Sequence, residues 1–197
     1  NHARREWGLN MTNPIPLVKK PPTPPGRNRI LNSEELERLF QACLPRVKNG
    51  NIFILPIVKF ALETAMRRSE ILGLTWKCIN FDRRIAFLAD TKNGSARTVP
   101  LSLKAIEILK SLPQSSNEKI FPISPPNLSN RFDGARKAAE IHDFHFHDLR
   151  HEAISRFFEL GLSMPEVSLI SGHKDVRMLF RYTHLKASDT AKKLLDT

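Results

Sequence analysis

The chain has 197 residues, and its 31 lysines and arginines against 20 aspartates and glutamates give a formal net charge of +11, which indicates a polyanionic partner. Hydrophobic residues make up 41% of the chain, which excludes wholesale disorder, and the longest apolar run, residues 52–57, is too short to span a membrane. Two cysteines without a CxxC motif, and a start without an apolar leader, indicate a reduced intracellular protein whose one main domain builds its own core.

The first 30 residues have the composition of a linker. Residues 3–9 look helical but begin without a helix start signal, so we expect an upstream domain before them. Six of the fourteen prolines follow in residues 14–25, and this composition favours an extended polyproline II conformation. Basic side chains of this linker are candidate contacts for the polyanion: Lys19, Lys20, Arg27 and Arg29.

Helical patterns begin directly after the linker. Asn32 or Ser33 caps a predicted helix over residues 33–44, with acidic residues in its first turn. Residues 51–66 are apolar nearly all the way round, which is typical of a helix enclosed by others. We therefore expect this second segment to be the central helix of the domain.

Three short β-prone runs follow, at residues 77–81, 84–88 and 97–101. A turn at Asp82-Arg83 and the strong hairpin signal Asn93-Gly94 separate them, which predicts a small three-stranded antiparallel sheet. Further helices are then predicted over residues 102–112, 126–141, 147–160, 165–171, 176–184 and 187–195. The predicted fold class is α+β and mainly α.

Arg67 directly follows the most apolar helix, so we expect its guanidinium near the interior, where an arginine needs a partner. Glu70 is the predicted partner, since it lies three residues later on the same helical face. It would hold one edge of the guanidinium while the other edge stays open to an anion. The alternative is an ordinary surface ion pair between the two residues.

The predicted helix over residues 147–160 places Arg150 inside its apolar face. Burying an arginine there is costly without an anion, and His147 is its neighbour three residues earlier. The alternatives are a guanidinium stacked on a phenylalanine and a satisfied core histidine. Four residues form the predicted apolar face: Leu149, Ala153, Phe157 and Leu160.

A zinc site competes with the anion interpretation, because four histidines cluster at His142, His145, His147 and His151. The HExxH pattern is absent, however, and an arginine among them would repel a cation.

Tyr182 is the only tyrosine of the chain. A continuous helix would hold it about 13 Å from His173, so for both to reach one site the chain must break after Gly172, with Asp175 capping a second helix. The alternative is a core tyrosine whose hydroxyl is bonded to a neighbour.

Two arginines, two histidines, a tyrosine and Lys92, without a carboxylate cluster for Mg²⁺, fit phosphoryl transfer by cationic side chains in place of metal ions. Lys92 precedes the hairpin signal and would by itself be an ordinary solubilising charge. The phenol of Tyr182 has an ordinary pKa of about 10, so surrounding cations or a base must favour the phenolate as it attacks phosphorus.

Four segments resemble the catalytic domain of tyrosine recombinases, the phage integrase family. They are residues 64–74, residues 91–101, His147-Asp148-Leu149-Arg150-His151, and Gly172-His173 nine residues before Tyr182. The resemblance covers residues 33–185, and residues 6–14 resemble the end of the family's DNA-gripping N-terminal domain with its linker. Two positions depart from the family pattern: Ala65 replaces a usual glycine, which is expected to restrict the turn that presents Arg67, and Ser171 replaces a usual leucine.

The resemblance implies a catalytic set of six residues: Arg67, Lys92, His147, Arg150, His173 and Tyr182. The two arginines and His173 would bind the non-bridging oxygens of the scissile phosphate. Lys92 would protonate the departing 5′ oxygen, and His147 would assist proton transfer at the nucleophile. Tyr182 would form a 3′-phosphotyrosyl linkage that another strand's 5′-hydroxyl attacks, with no cofactor, metal or ATP.

The resemblance also implies double-stranded DNA as the partner, bound by a homotetramer that exchanges strands through a Holliday junction and is a monomer when free. Residues 1–30 would be the end of an N-terminal DNA-binding domain with its basic linker, residues 31–197 the catalytic domain, and residues 186–197 a tail that packs on a neighbour. The expected location is the cytoplasm, on the nucleoid. A type IB topoisomerase or telomere resolvase, a non-catalytic DNA-binding relative and a zinc hydrolase are the alternatives.

Overall fold

The structure, a computed structural model, describes residues 2–10, 18–19, 21, 29–45, 52–89, 96–113 and 118–183. Its α-helices are α1 (His2–Glu6), α2 (Ser33–Ala42), α3 (Ile54–Thr64), α4 (Arg68–Gly73), α5 (Leu103–Lys110), α6 (Pro125–Ala138), α7 (Asp148–Glu159) and α8 (Met164–Ser171). Its strands are β1 (Ile79–Asn80), β2 (Ile85–Leu88) and β3 (Arg97–Pro100), and two 3₁₀ helices cover Trp76–Cys78 and Val176–Tyr182.

Helix α2 begins at a reciprocal cap. The Asn32 side chain accepts a hydrogen bond from the Glu35 amide at 2.8 Å, and the Glu35 carboxylate accepts one from the Asn32 amide at 3.0 Å. This arrangement satisfies two amides that a helix start leaves unpaired, and it confirms Asn32 as the cap. Arg29 donates to the same carboxylate, so this linker arginine is held in an ion pair.

Helix α3 is the central helix, as predicted. Ile57, Val58, Phe60 and Ala61 are almost fully buried, and the helix packs against α5 and α7. Burial on all sides explains why its apolar residues show no single face.

The three strands form an antiparallel sheet in the order β1-β2-β3, as predicted. Ala86 pairs with Ile79 on one side and with Val99 on the other, and Ala86 and Val99 are fully buried. The mainly helical α+β fold class is confirmed. The Asn93-Gly94 hairpin signal and the predicted helix over residues 187–195 lie outside the described residues.

Three expectations need correction. Residues 176–184 were predicted as an ordinary helix, but the chain forms a 3₁₀ helix over Val176–Tyr182. Leu160 was assigned to the core face of α7, but it is 65% exposed as the C-cap residue that follows the last helical residue, Glu159. Helix α4 was not predicted as a separate element.

In the described part of the chain, no helix is long and apolar enough to cross a membrane.

Candidate active site

A sharp turn between α3 and α4 presents Arg67. Ala65 ends α3 in the left-handed conformation, with φ of 48°, and Arg67 is extended before α4 begins. A left-handed alanine costs about 1–2 kcal/mol, so the turn needs support from its surroundings. Arg150 supplies it, because one end of its guanidinium donates to the Ala65 carbonyl.

Glu70 is a buried carboxylate that joins two arginines. It accepts hydrogen bonds from the Arg67 backbone amide at 2.8 Å, from Arg67 Nη1 at 2.8 Å and from Arg97 Nη2 at 2.7 Å. Burial alone would raise the pKa of Glu70, but these hydrogen bonds and the two positive charges outweigh it and hold that pKa below its usual range. The predicted Arg67–Glu70 pair therefore exists, and it is a buried network instead of an isolated surface pair.

Arg97 was not predicted to belong to the site. Arg97 lies on β3 two residues before the buried Val99, so the alternation of strand residues places both on one face of the sheet, a signal that could have found it. Its guanidinium also donates to the Ile170 carbonyl at the end of α8. Gly172 lies against it, since a Cβ on Gly172 would come within 2.7 Å of Arg97 Nε. Arg97 thus ties the sheet to the loop that carries His173.

Arg150 is the most deeply buried cation of the site, with 4% of its surface exposed. Burial, reinforced by the nearby charge of Arg67, lowers the pKa of its guanidinium to about 10. Among the residues that the structure describes, its Nη2 has no hydrogen-bond partner. A buried, unpaired donor on a positive group costs folding free energy unless an anion binds it. This agrees with the expectation that Arg150, on the apolar face of α7, needs an anion.

Tyr182 is brought to the arginines by a break in the chain. Gly172 ends α8 with φ of 71°, and the Asp175 side chain then caps the 3₁₀ helix by accepting from the Arg177 amide at 3.0 Å. The phenol lies within range of the Arg150 charge, and its hydroxyl is hydrogen-bonded to His151 Nδ1. Tyr182 is buried and bonded, as the core alternative expected, but its partner belongs to the site.

His173 lies in the loop after Gly172 and faces the same arginines. Ser171 Oγ donates to the Val167 carbonyl at 2.6 Å and lies 2.7 Å from His173 Nδ1, so the serine fastens the imidazole in place. Burial and the charges of Arg150 and Arg67 lower the pKa of His173 to about 4. The ring is therefore neutral in the free protein, and a bound anion would favour its protonation.

His147 stands at the rim of the site. Its ring lies edge-on to His151, with 5.2 Å between the ring centroids, and partial burial together with Arg150 lowers its pKa. A cleft of about 730 Å³ opens beside it and is lined by Arg67, Arg68 and Ser129 among others. Arg67 and His147 are the members of the site that line this cleft.

The structure thus brings together Arg67, Glu70, His147, Arg150, His173 and Tyr182. Lys92 lies outside the described residues, as do Lys20 and Arg27, and Lys19 is exposed. Within the described ranges, no three histidine, cysteine or acidic side chains are grouped closely enough to hold a metal ion. Glu70 is the carboxylate bonded to two of the guanidinium groups, those of Arg67 and Arg97, whereas Arg150 donates to the Ala65 carbonyl. Three positive charges near one bonded carboxylate among the described residues leave the pocket electropositive and suited to a phosphate.

Comparison with known proteins identifies the family of this chain. A sequence profile described as the phage integrase family matches residues 29–189. The chain belongs to the phage integrase family. It is 45% identical over 195 residues to the shufflon-specific DNA recombinase of Escherichia coli, a match that covers 98% of this chain and 50% of that protein. This family member therefore spans about half the length of that relative.

Two solved structures resemble the fold of this phage integrase family member. The catalytic domain of bacteriophage HP1 integrase is 27% identical with a TM-score of 0.68, and the match covers 84% of this chain and 92% of that domain. A lambda integrase dimer bound to a COC′ core site is 22% identical with a TM-score of 0.71, covering 92% of this chain and 67% of that one. The lambda likeness shows the fold alone.

Replacing Glu70 with glutamine is expected to destabilise the protein by about 3 kcal/mol at neutral pH, because two partly buried guanidinium groups would then face an amide. The pKa of Glu70 lies below its usual 4.5 in the folded protein, so the ionised carboxylate stabilises the fold above that pH. This contribution is lost as the pH falls through the folded-state pKa. Urea unfolding of both proteins from neutral to strongly acidic pH measures the difference, which should shrink on acidification. A difference independent of pH would contradict the assignment.

Proposed function

We propose that this chain is the catalytic part of a site-specific DNA recombinase that cuts and rejoins DNA through a 3′-phosphotyrosyl intermediate. The observation that carries the proposal is the buried Arg150 guanidinium, whose Nη2 lacks a partner among the described residues and whose charge reaches the Tyr182 phenol. A phosphodiester bound there would satisfy the open donor and lie within reach of a hydroxyl nucleophile.

The arginines would act on charge that develops during the reaction. Arg67 and Arg150, joined by His173 once a phosphate raises its pKa, would donate to the non-bridging oxygens of the scissile phosphate. Glu70 fixes Arg67 and Arg97 before substrate arrives, so little reorganisation is needed in the transition state. Cations fixed in this way can replace the metal ions that other phosphoryl-transfer enzymes use.

The proposed cleavage step exchanges one phosphoester bond for another. The Tyr182 oxygen forms a bond to phosphorus, the bond from phosphorus to the 5′ oxygen breaks, and Lys92 gives that oxygen a proton. His147 would assist proton transfer at the Tyr182 hydroxyl. Because the phosphotyrosyl ester keeps the energy of the broken bond, a 5′-hydroxyl of another strand can reverse the step without ATP or a metal ion.

The assembly follows from the same proposal. Four copies would act on two DNA duplexes in the cytoplasm, on the nucleoid, with residues 186–197 packing on a neighbour and the free protein monomeric. Residues 1–30 would connect an N-terminal DNA-binding domain to the catalytic domain. The likeness to the shufflon-specific DNA recombinase favours strand exchange over relaxation by a type IB topoisomerase.

DNA affinity is expected to fall steeply with salt, because a net charge of +11 favours phosphate contacts that release counterions. Each neutralised phosphate should add about 0.9 to the slope of log affinity against log salt. Fluorescence anisotropy with a labelled duplex at several salt concentrations measures this slope. The unsubstituted protein is compared with a variant in which Lys19, Lys20 and Arg27 are replaced by alanine. A flat response would contradict phosphate-driven binding.

The experiment that tests the function is the trapping of a covalent adduct between Tyr182 and DNA. Such an adduct is expected in the chain with Tyr182 and absent in Tyr182→Phe.

A further inference from the structure

The hydroxyl of Tyr182 contacts a histidine outside the six-residue catalytic set. His151 lies on α7 directly after Arg150, and its Nδ1 is hydrogen-bonded to the Tyr182 hydroxyl. The two rings stack nearly parallel, with an angle of 25° and 5.8 Å between centroids. His151 is half-buried. Its hydrogen bond to Tyr182 joins α7 to the 3₁₀ helix that carries the nucleophile.

We propose that His151 is the base that takes the proton of the Tyr182 hydroxyl during DNA cleavage and returns it when the strand is rejoined. This inference rests on the proposed function and adds a catalytic residue to it. In cleavage, the Tyr182 O–H bond breaks, its electron pair forms the bond to phosphorus, and the proton moves to His151 Nδ1. In rejoining, the phosphotyrosyl bond breaks and the imidazolium gives the proton back to the phenol oxygen.

The ring is suited to this task, because a base must have an unprotonated nitrogen facing the proton it accepts. Burial is the main cause that lowers the pKa of His151 to about 4. The nearby basic groups His147, Arg181 and Arg150 lower it further, and the carboxylate of Asp148 opposes the shift. His173 faces the ring from the loop after α8. His151 is therefore a neutral imidazole at neutral pH and can accept through Nδ1.

The timing of proton transfer follows from the two pKa values. Burial raises the pKa of Tyr182 although Arg181 and Arg150 oppose it, so the phenol keeps its proton in the free protein. A phosphate bound between the arginines brings negative charge next to His151, which makes the imidazole more basic. The proton then leaves the phenol as the bond to phosphorus forms.

His147 occupies a different place. Its ring lies edge-on to His151 at an angle of 89°, whereas the hydrogen-bond partner of the Tyr182 hydroxyl among the described residues is His151. His147 therefore assists the proton transfer through its contact with the His151 ring.

The single tyrosine makes a sharp test possible, since global incorporation of a ring-fluorinated tyrosine changes Tyr182 alone. Fluorination lowers the phenol pKa, so the attack then depends less on a base. With ordinary tyrosine, His151→Ala should slow adduct formation on a nicked duplex by about 10²–10³, within the range of general-base effects. With fluorotyrosine the loss should be at least about tenfold smaller. His142→Ala, which removes an exposed histidine outside the site, is the matched control and should have no effect.

Two kinetic outcomes overturn the inference alone: equal losses for His151→Ala with tyrosine and fluorotyrosine, or rescue by fluorination in His147→Ala instead of His151→Ala. Absence of any adduct in the unsubstituted protein would remove the proposed function and this inference with it. Nitrogen NMR of the free protein gives a readout without DNA. His151 Nδ1 should be unprotonated and Nε2 protonated at neutral pH, and a proton on Nδ1 would overturn the inference.

Discussion

Tyr182→Phe is expected to abolish covalent attachment of the protein to DNA while DNA binding and the fold remain. The phenyl ring is 8% exposed and keeps its packing in the 3₁₀ helix, so the substitution removes the hydroxyl and its hydrogen bond to His151. Loss of that bond should lower stability by about 1 kcal/mol. Because the chain has one tyrosine, the adduct has one place to form.

The adduct can be trapped on a nicked duplex whose short fragment beyond the cleavage site diffuses away and so prevents rejoining. It should appear as a denaturant-resistant band of slower mobility, and peptide mapping should locate the DNA on Tyr182. Thr183→Ala is the matched control, since it removes the neighbouring hydroxyl and should retain the band. An adduct that persists in Tyr182→Phe, or that maps to another residue, would refute the mechanism.

Local patterns in the sequence were sufficient to predict the positions of the main helices and of the sheet. Helical periodicity located α2, α3 and α7, and two-residue alternation with turn signals located the sheet. The wheel of α7 also placed Arg150 correctly inside the apolar face. These features depend on neighbours within a few residues, which is why periodicity detects them. Leu160 failed the same reasoning because the wheel does not show where the helix ends.

The contacts that assemble the site are not local. Arg97 reaches Glu70 across 27 residues and His151 reaches Tyr182 across 31, and neither pairing leaves a periodic signal in the sequence. In the sequence, His151 was noted as one of four clustered histidines and as the last residue of a segment that resembles the family, and it was given no role. Its contact with Tyr182 depends on how the 3₁₀ helix docks after Gly172, which is set by the left-handed glycine and by Arg97 packed against it. Helix α4 was missed for a related reason, since the break before it rests on a left-handed alanine.

Arg150→Ala is expected to slow DNA cleavage by about 10²–10³, with a much smaller loss of DNA affinity, by analogy with removal of one preorganised donor from an oxyanion hole. Many phosphate contacts share the binding of a duplex, whereas the Arg150 guanidinium is aimed at charge that grows on the scissile phosphate. Arg150→Lys keeps a positive charge but loses the planar fork that reaches the Ala65 carbonyl and a phosphate together, so it should recover little activity.

The measurements are single-turnover adduct formation and duplex affinity at the same salt concentration. Arg177→Ala is the matched control, because it removes an exposed guanidinium that pairs with Asp175 but keeps the backbone amide that Asp175 caps, so it should leave cleavage nearly unchanged. The melting temperature of each variant separates chemistry from folding, since Arg150→Ala also withdraws a donor from the turn at Ala65. Equal losses in rate and affinity would make Arg150 an ordinary phosphate contact. If Arg150→Ala slows cleavage but leaves DNA affinity and folding intact, the Arg150 Nη2 that lacks a partner among the described residues acts by stabilising the transition state.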